Sequence, residues 1–387
     1  MRTGLYVLVV LTAGAYLPSP LYPEYQRVFE ISDLTMTLIY ATFALISAPA
    51  LLLFGPASDA LGPRSVLRAS IVLAAAGSAC FTLAAGPIWL LAGRAAQGLA
   101  LGAVTGAAGT LIGECAHGRS RVAGAVLVST AFLAGTAAGP IAGGALAQYA
   151  PAPQLLPFVL HLVLLGIGWR CVSRLAAHGP QIARWKPTRP AIPQGMRLLF
   201  TTAAATGFLA WTVAGLFLAV IPTLLTRAGQ TNLAVTGGIL GAVLLCSVAT
   251  QPLVARLGAQ HAQLAGLGAL LVALALLAMT VGGSTSVTVA AAVVAGAGHG
   301  LAYGGAAAAI DATAPAGKRG ALTGALYVAF YLGAGCPAVV IGLVTLAHPL
   351  TTATAYVTGA SAGLVLLVGA AVGFVRTTAA LPQPRWR

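Results

Sequence analysis

The chain has 387 residues, of which 59% are hydrophobic and 7% charged, whereas a soluble domain carries about a quarter charged residues. Twenty basic and six acidic side chains cannot coat a body of this length, which excludes an ordinary soluble enzyme and makes the lipid bilayer the solvent. The net charge of +14 falls between long apolar runs, where it orients a membrane protein instead of binding nucleic acid.

A hydrocarbon core about 30 Å thick takes roughly 20 apolar residues per helix. Such runs fall at 4-22, 34-55, 66-85, 88-112, 122-147, 155-175, 198-222, 232-255, 262-282, 286-310, 321-347 and 352-376. They lack the two-residue alternation of a barrel, so an all-α membrane protein of twelve transmembrane helices is expected. Arg2, the first apolar run and Ala13-Gly14-Ala15 resemble a cleavable leader, but hydrophobicity continues to Tyr22 and the run reads as a retained span.

In span 1 the candidate cavity groups are Thr12, Tyr16 and Ser19, and in span 2 Tyr40. Between these spans lie Glu24, Glu30 and Asp33; Asp33 is a candidate proton carrier, and Ser32 and Asp33 both read as helix caps. After span 2 comes Gly55-Pro-Ala-Ser-Asp59-Ala-Leu-Gly62-Pro-Arg64, where Asp59 can face a helix N-terminus and Arg64 can pair with Glu114 at the end of span 4. Arg94, with Gln97 a turn on, lies inside span 4; a buried arginine needs a cavity or a partner, and it offers donors for an anionic or carbonyl substrate or a fixed charge that biases a proton site, its plainer reading being snorkelling to the interface. Gly135, Gly139 and Gly143 recur every four residues in span 5 with Pro140 and Gly144, allowing close helix approach and a bend. The deepest titratable groups are His161 in span 6 and His299 in span 10, each readable as a proton site or a hydrogen-bonded packing residue. Trp211, Tyr303, Tyr327 and Tyr331 complete the cavity candidates.

Residues 176-197 carry four prolines among basic residues and read as a linker between six-helix bundles at 1-175 and 198-387. A shift of 202 sets Gly98 and Gly102 on Gly300 and Gly304, with Gln97 on His299. A shift of 196 sets Pro56 and Gly62 on Pro252 and Gly258. Parallel repeats around a midplane cavity suit alternating access. Counting loops from an inside N-terminus places seventeen of the twenty basic residues on the cytoplasmic side, which gives cytoplasmic termini. Neither a metal nor a cofactor is expected: the five cysteines lack ligand spacing, there is no GxxxxGK, and Gly296-Ala-Gly298-His-Gly300 lacks the third glycine of a dinucleotide loop.

These residues resemble the major facilitator superfamily over nearly the whole chain. Gly55, Asp59, Gly62 and Arg64 are similar to its G-x-x-x-D-R-x-G-R-R motif, with Ala60 and Pro63 departing from two basic positions. Arg94-Ala-Ala-Gln97-Gly98-Leu-Ala-Leu-Gly102 is similar to R-x-x-Q-G-x-x-x-G, and Gly135 to Gly144 resembles the antiporter signature G-x-x-x-G-P-x-x-G-G. The resemblance implies two pseudo-symmetric bundles, a cytoplasmic latch at the first motif, and a secondary transporter in the plasma membrane. Its partners would be a small organic substrate and protons, with the single chain functional alone. The span 5 signature implies export of an amphiphilic compound, as in multidrug efflux. A proton-linked nutrient importer and a channel are the other readings.

Overall fold

The computed structural model describes residues 1–115, 121–175, 187, 192–315 and 318–379; within these, the side chains of 59, 109, 110, 112–115, 121–126 and 375–379 are excepted. Among the described residues all regular structure is helical, and twelve helices are long and apolar enough to cross a membrane. Spans 2 to 6 are Asp33–Phe54, Pro63–Thr82, Pro87–Cys115, Arg121–Tyr149 and Leu156–Ser173. Spans 8 to 12 are Leu233–Leu257, Ala259–Thr280, Thr285–Thr313, Arg319–Val344 and Leu350–Ala379.

Spans 1 and 7 are each broken near their far end. Span 1 runs Arg2–Tyr16, turns through a 3₁₀ segment Ser19–Leu21 and resumes as Tyr22–Phe29; span 7 runs Arg197–Ala219 and resumes as Ile221–Arg227. Pro18, Pro20 and Pro23 in one, and Pro222 in the other, remove the amide donors that would continue the ladder. Span 1 therefore extends past the expected boundary at Tyr22. Most of the expected linker, 176–186 and 188–191, lies outside the described residues.

The packing of the first six spans recurs in the last six. Span 4 packs against spans 1, 2 and 3, as span 10 does against 7, 8 and 9; span 1 meets span 5, as span 7 meets span 11. Span 3 lies on span 6, and span 9 on span 12. Gly98 and Gly102 press on the backbone of span 2, and Gly296 and Gly300 on that of span 8. Gly62 and Gly258 share one backbone conformation, φ +78 and ψ 148 against φ +77 and ψ 155, which only glycine adopts without strain. Gly62 and Gly258, matched by the shift of 196, thus share one geometry, whereas Gly304, set on Gly102 by the shift of 202, meets the Val254 side chain where Gly102 meets backbone.

Between the first six spans and the last six, the main contacts are span 5 on span 8 and span 2 on span 11, which are equivalent under the repeat. Apolar side chains such as Val163, Leu366, Leu367 and Phe374 stay exposed, as a lipid solvent permits. The buried core runs through both halves, from Leu8 and Phe43 to Phe217 and Phe330.

Candidate functional site

The site is the seam where spans 1, 2, 4 and 5 face spans 7, 8, 10 and 11. Span 5 builds its middle. A side chain at Gly139 or Gly143 would strike the carbonyls of Ala13 or Leu17 in span 1, and one at Gly144 the carbonyl of Leu233 in span 8. Gly237 of span 8 in turn faces the Pro140 carbonyl. The run resembling an antiporter signature is therefore where one helix touches its own half on one face and the opposite half on another. The helix continues through Pro140.

At the end of the molecule opposite both termini, called distal here, a polar clasp crosses the seam. Arg227, at the end of span 7, donates from Nη2 to Asp33 Oδ1 at 2.6 Å and from Nη1 to Oδ2 at 3.1 Å. Gln26 donates to the same carboxylate at 2.8 Å and accepts from Thr223 Oγ1 at 2.7 Å, and Gln148 of span 5 accepts from the Leu233 amide of span 8 at 2.8 Å. The cap reading of Asp33 is corrected: Ser32 is the N-cap, accepting from the Thr35 amide at 3.2 Å, which leaves Asp33 available for Arg227.

Nearer the terminal face a second chain crosses. Gln251 of span 8 donates to Ser129 Oγ of span 5 at 3.1 Å, Ser129 approaches the Tyr303 hydroxyl at 3.5 Å, and that hydroxyl lies 2.9 Å from Tyr327 Oη. Ser129, Gln251, Gln26 and Arg227 were absent from the sequence-derived set; the one signal was Gln251, the repeat counterpart of Gly55.

In the first half, Arg94 is fully buried. Its Nη1 donates to the Ala15 carbonyl and, at 3.0 Å, to Gln97 Oε1, while Gln97 Nε2 donates to the Gly14 carbonyl at 3.1 Å. The guanidinium carbon sits 4.5 Å from the Phe43 ring centre and 5.7 Å from that of Tyr40, and Tyr16 lies edge-on to Phe43 at 5.3 Å. Snorkelling is thereby replaced by burial among spans 1, 2 and 4. Among the described residues Nε and Nη2 have no hydrogen-bond partner.

In the second half, His299 bonds Ser247 Oγ through Nδ1 at 2.8 Å, packs edge-on to Trp211 at 4.9 Å and stacks on Tyr303 at 5.6 Å. His299 Nε2, Trp211 Nε1 and Tyr331 Oη are buried without a partner among the described residues. Phe132 of span 5 meets Trp211 edge-on at 6.2 Å across the seam.

His161 sits apart from this cluster, among spans 1, 3 and 6. Its Nε2 donates to the Val10 carbonyl at 3.0 Å, and its Nδ1, 2.6 Å from Ser78 Oγ, accepts from that hydroxyl, the arrangement of a neutral packing histidine. Arg64 was expected to pair with Glu114. Arg64 Nη2 donates to the Ser173 carbonyl at 3.0 Å, beside Arg68, which bonds Ser173 Oγ at 3.1 Å and lies over Trp169; the Asp59 and Glu114 side chains, and with them the expected pairing, lie outside the described residues. Gly55 packs against Gly106 of span 4.

The family model described as Major Facilitator Superfamily matches residues 5–335. The chain belongs to the major facilitator superfamily. With twelve apolar helices among the described residues, it is a multi-pass membrane protein of that family. A stretch of 183 residues is 32% identical to the class C tetracycline resistance protein of Escherichia coli, covering 43% of this chain and 45% of that protein. A stretch of 124 residues is 32% identical to an MFS-type transporter of Aspergillus terreus, covering 32% of this chain and 22% of that one. The matched stretches thus span less than half of either curated relative. In fold, the chain is similar to a bacterial homologue of the human lysosomal transporter Spinster, at TM-score 0.75 and 15% identity over 97% of this chain and 96% of that one. It is also similar to a POT family transporter in complex with 5-aminolevulinic acid, at TM-score 0.76 and 12% identity over the same shares.

Proposed function

We propose that this transporter is a proton-coupled exporter of a small amphiphilic organic compound. The halves 1-175 and 198-387 rock about the seam as one chain in the plasma membrane, with both termini in the cytoplasm. Export is carried by one observation: Gly139, Pro140, Gly143 and Gly144, the run resembling an antiporter signature, lie at the contact of span 5 with spans 1 and 8. A face made only for packing within a half would have no need to meet the opposite half. The 32% identity to a tetracycline resistance protein supports the same direction, and the bias of basic residues toward one face supports the orientation.

Alternating access requires each end of the seam to open in turn. The distal clasp of Asp33 and Arg227 closes the outside, and the Ser129, Gln251, Tyr303 and Tyr327 chain closes the cytoplasmic half. His299 is the proton site favoured here, because its Nε2 lies free at the seam while Nδ1 is held by Ser247. Asp33 couples the outer clasp to protonation, since a neutral carboxyl group attracts Arg227 far less. Asp59, Arg64 and Glu114 form the cytoplasmic latch.

The test is accumulation of labelled amphiphiles in efflux-deficient cells expressing the wild-type chain or Gly139→Val, with and without a protonophore. Lower accumulation that disappears with the protonophore and with Gly139→Val is expected. Higher accumulation in energised wild-type cells would overturn export.

A further inference from the structure

We infer that the transported compound is a planar aromatic acid, its carboxylate or other anionic group held by Arg94 and its ring edge bonded by Trp211; this rests on the seam being the substrate site. The first argument is charge. Arg94 is fully buried, and among the described residues its hydrogen bonds go only to neutral oxygens, those of Ala15 and Gln97. A buried cation without a counter-ion is costly, and an anionic ligand removes that cost where an amine would add repulsion.

The six acids of the chain do not offset Arg94. Glu24 pairs with Arg27, Asp33 with Arg227, and Asp311 with Arg319, while Glu30 lies in the distal loop. Asp59 lies in the short helix Ala57–Leu61 that follows span 2, and Glu114 lies more than five turns along span 4 from Arg94. Among the described residues, an ammonium group entering the middle of the seam would find no carboxylate, only the rings and Arg94.

The second argument is the type of group left unbonded. Arg94 Nε, Arg94 Nη2 and Trp211 Nε1 carry hydrogens and no lone pair to offer, and all three are buried without partners. Tyr331 Oη and His299 Nε2 can donate or accept. A complementary ligand therefore brings acceptor oxygens. The third argument is the company each donor keeps: Phe43 and Tyr40 pack on the Arg94 guanidinium, Phe132 and Tyr303 on Trp211, and ring surroundings of this kind favour a flat aromatic partner.

The experiment is binding to the purified full chain in detergent, read by the fluorescence anisotropy of six probes. They are naphthalene, anthracene and coumarin skeletons, each as a carboxylate and as the matching ammonium. The carboxylates should bind about tenfold tighter than their partners, about the difference a hydrogen-bonded ion pair makes. Arg94→Gln should abolish that preference, and Arg94→Lys should keep part of it. Trp211→Phe, which retains a ring but no donor, should weaken the carboxylates about three- to tenfold. Equal or tighter binding of the ammonium probes, binding of none of the six, a preference surviving Arg94→Gln, or an unchanged affinity in Trp211→Phe would each overturn the proposal. Flux of the same probes in energised vesicles separates this from export. Carboxylates that bind but are taken up refute export alone, while expulsion of ammonium probes only refutes the substrate class and leaves export standing.

Discussion

Removing the distal clasp should tilt the carrier toward the distal-open state by a calculable amount. The Arg227 side chain is 52% exposed and that of Asp33 17%, so water screens the pair and its worth falls in the range of surface ion pairs, about 0.2–1 kcal/mol. Two-point geometry and the added bond from Gln26 put it at the top of that range, about 1 kcal/mol. An energy of that size changes a two-state ratio about fivefold. Spin labels at Val28 and Leu346, both exposed and on opposite halves at the distal face, report the opening as a longer distance population by double electron–electron resonance. Arg227→Gln and Asp33→Asn should each raise that population about fivefold, and the double variant should do no more, because the partners act as one unit. Distances unchanged in both single variants, or effects that add in the double variant, would refute the clasp.

Three further outcomes are expected. Gly62→Ala and Gly258→Ala each force a side chain into a glycine-only conformation, and each should lower stability by about 1–3 kcal/mol in thermal unfolding in detergent. Gly237→Ala drives a methyl group into the Pro140 carbonyl; transport should fall to less than a tenth while circular dichroism keeps its helical signal. Tyr327→Phe removes the hydroxyl bonded to Tyr303, a loss of about 0.5–1.5 kcal/mol, and should raise thiol labelling of a cysteine placed at Ser129.

The twelve spans were legible because a bilayer enforces a length and forbids unpaired backbone, two demands that composition alone records. The repeat was legible through glycines, since Gly62 and Gly258 answer to backbone geometry that no other residue tolerates. Arg94 was legible as a buried charge. What escaped were partners distant in sequence: Asp33 meets Arg227 across 194 positions and Ser129 meets Gln251 across 122. Only the arrangement of helices brings them together. The cap assignment of Asp33 failed for a related reason, as Ser32 satisfies the same local pattern and the deciding contact lay in the other half.

Glycine on both sides of the contact between spans 5 and 8 has a kinetic consequence. Gly144 faces Leu233 and Gly237 through backbone, and Gly237 faces Pro140 the same way, so the bulky side chain that these glycines and their neighbour Gly241 meet across the contact is Ile141, seated on Gly241. Surfaces this shallow slide with little friction, because few rotamers must be forced aside as one helix turns on the other. On the proposed rocking mechanism, the dwell time of each state would be governed at the rims, by a handful of polar bonds that act as detents on a smoother bearing. Evolution or engineering can retune the turnover of such a machine by editing those rim residues, leaving the middle of its moving surface untouched.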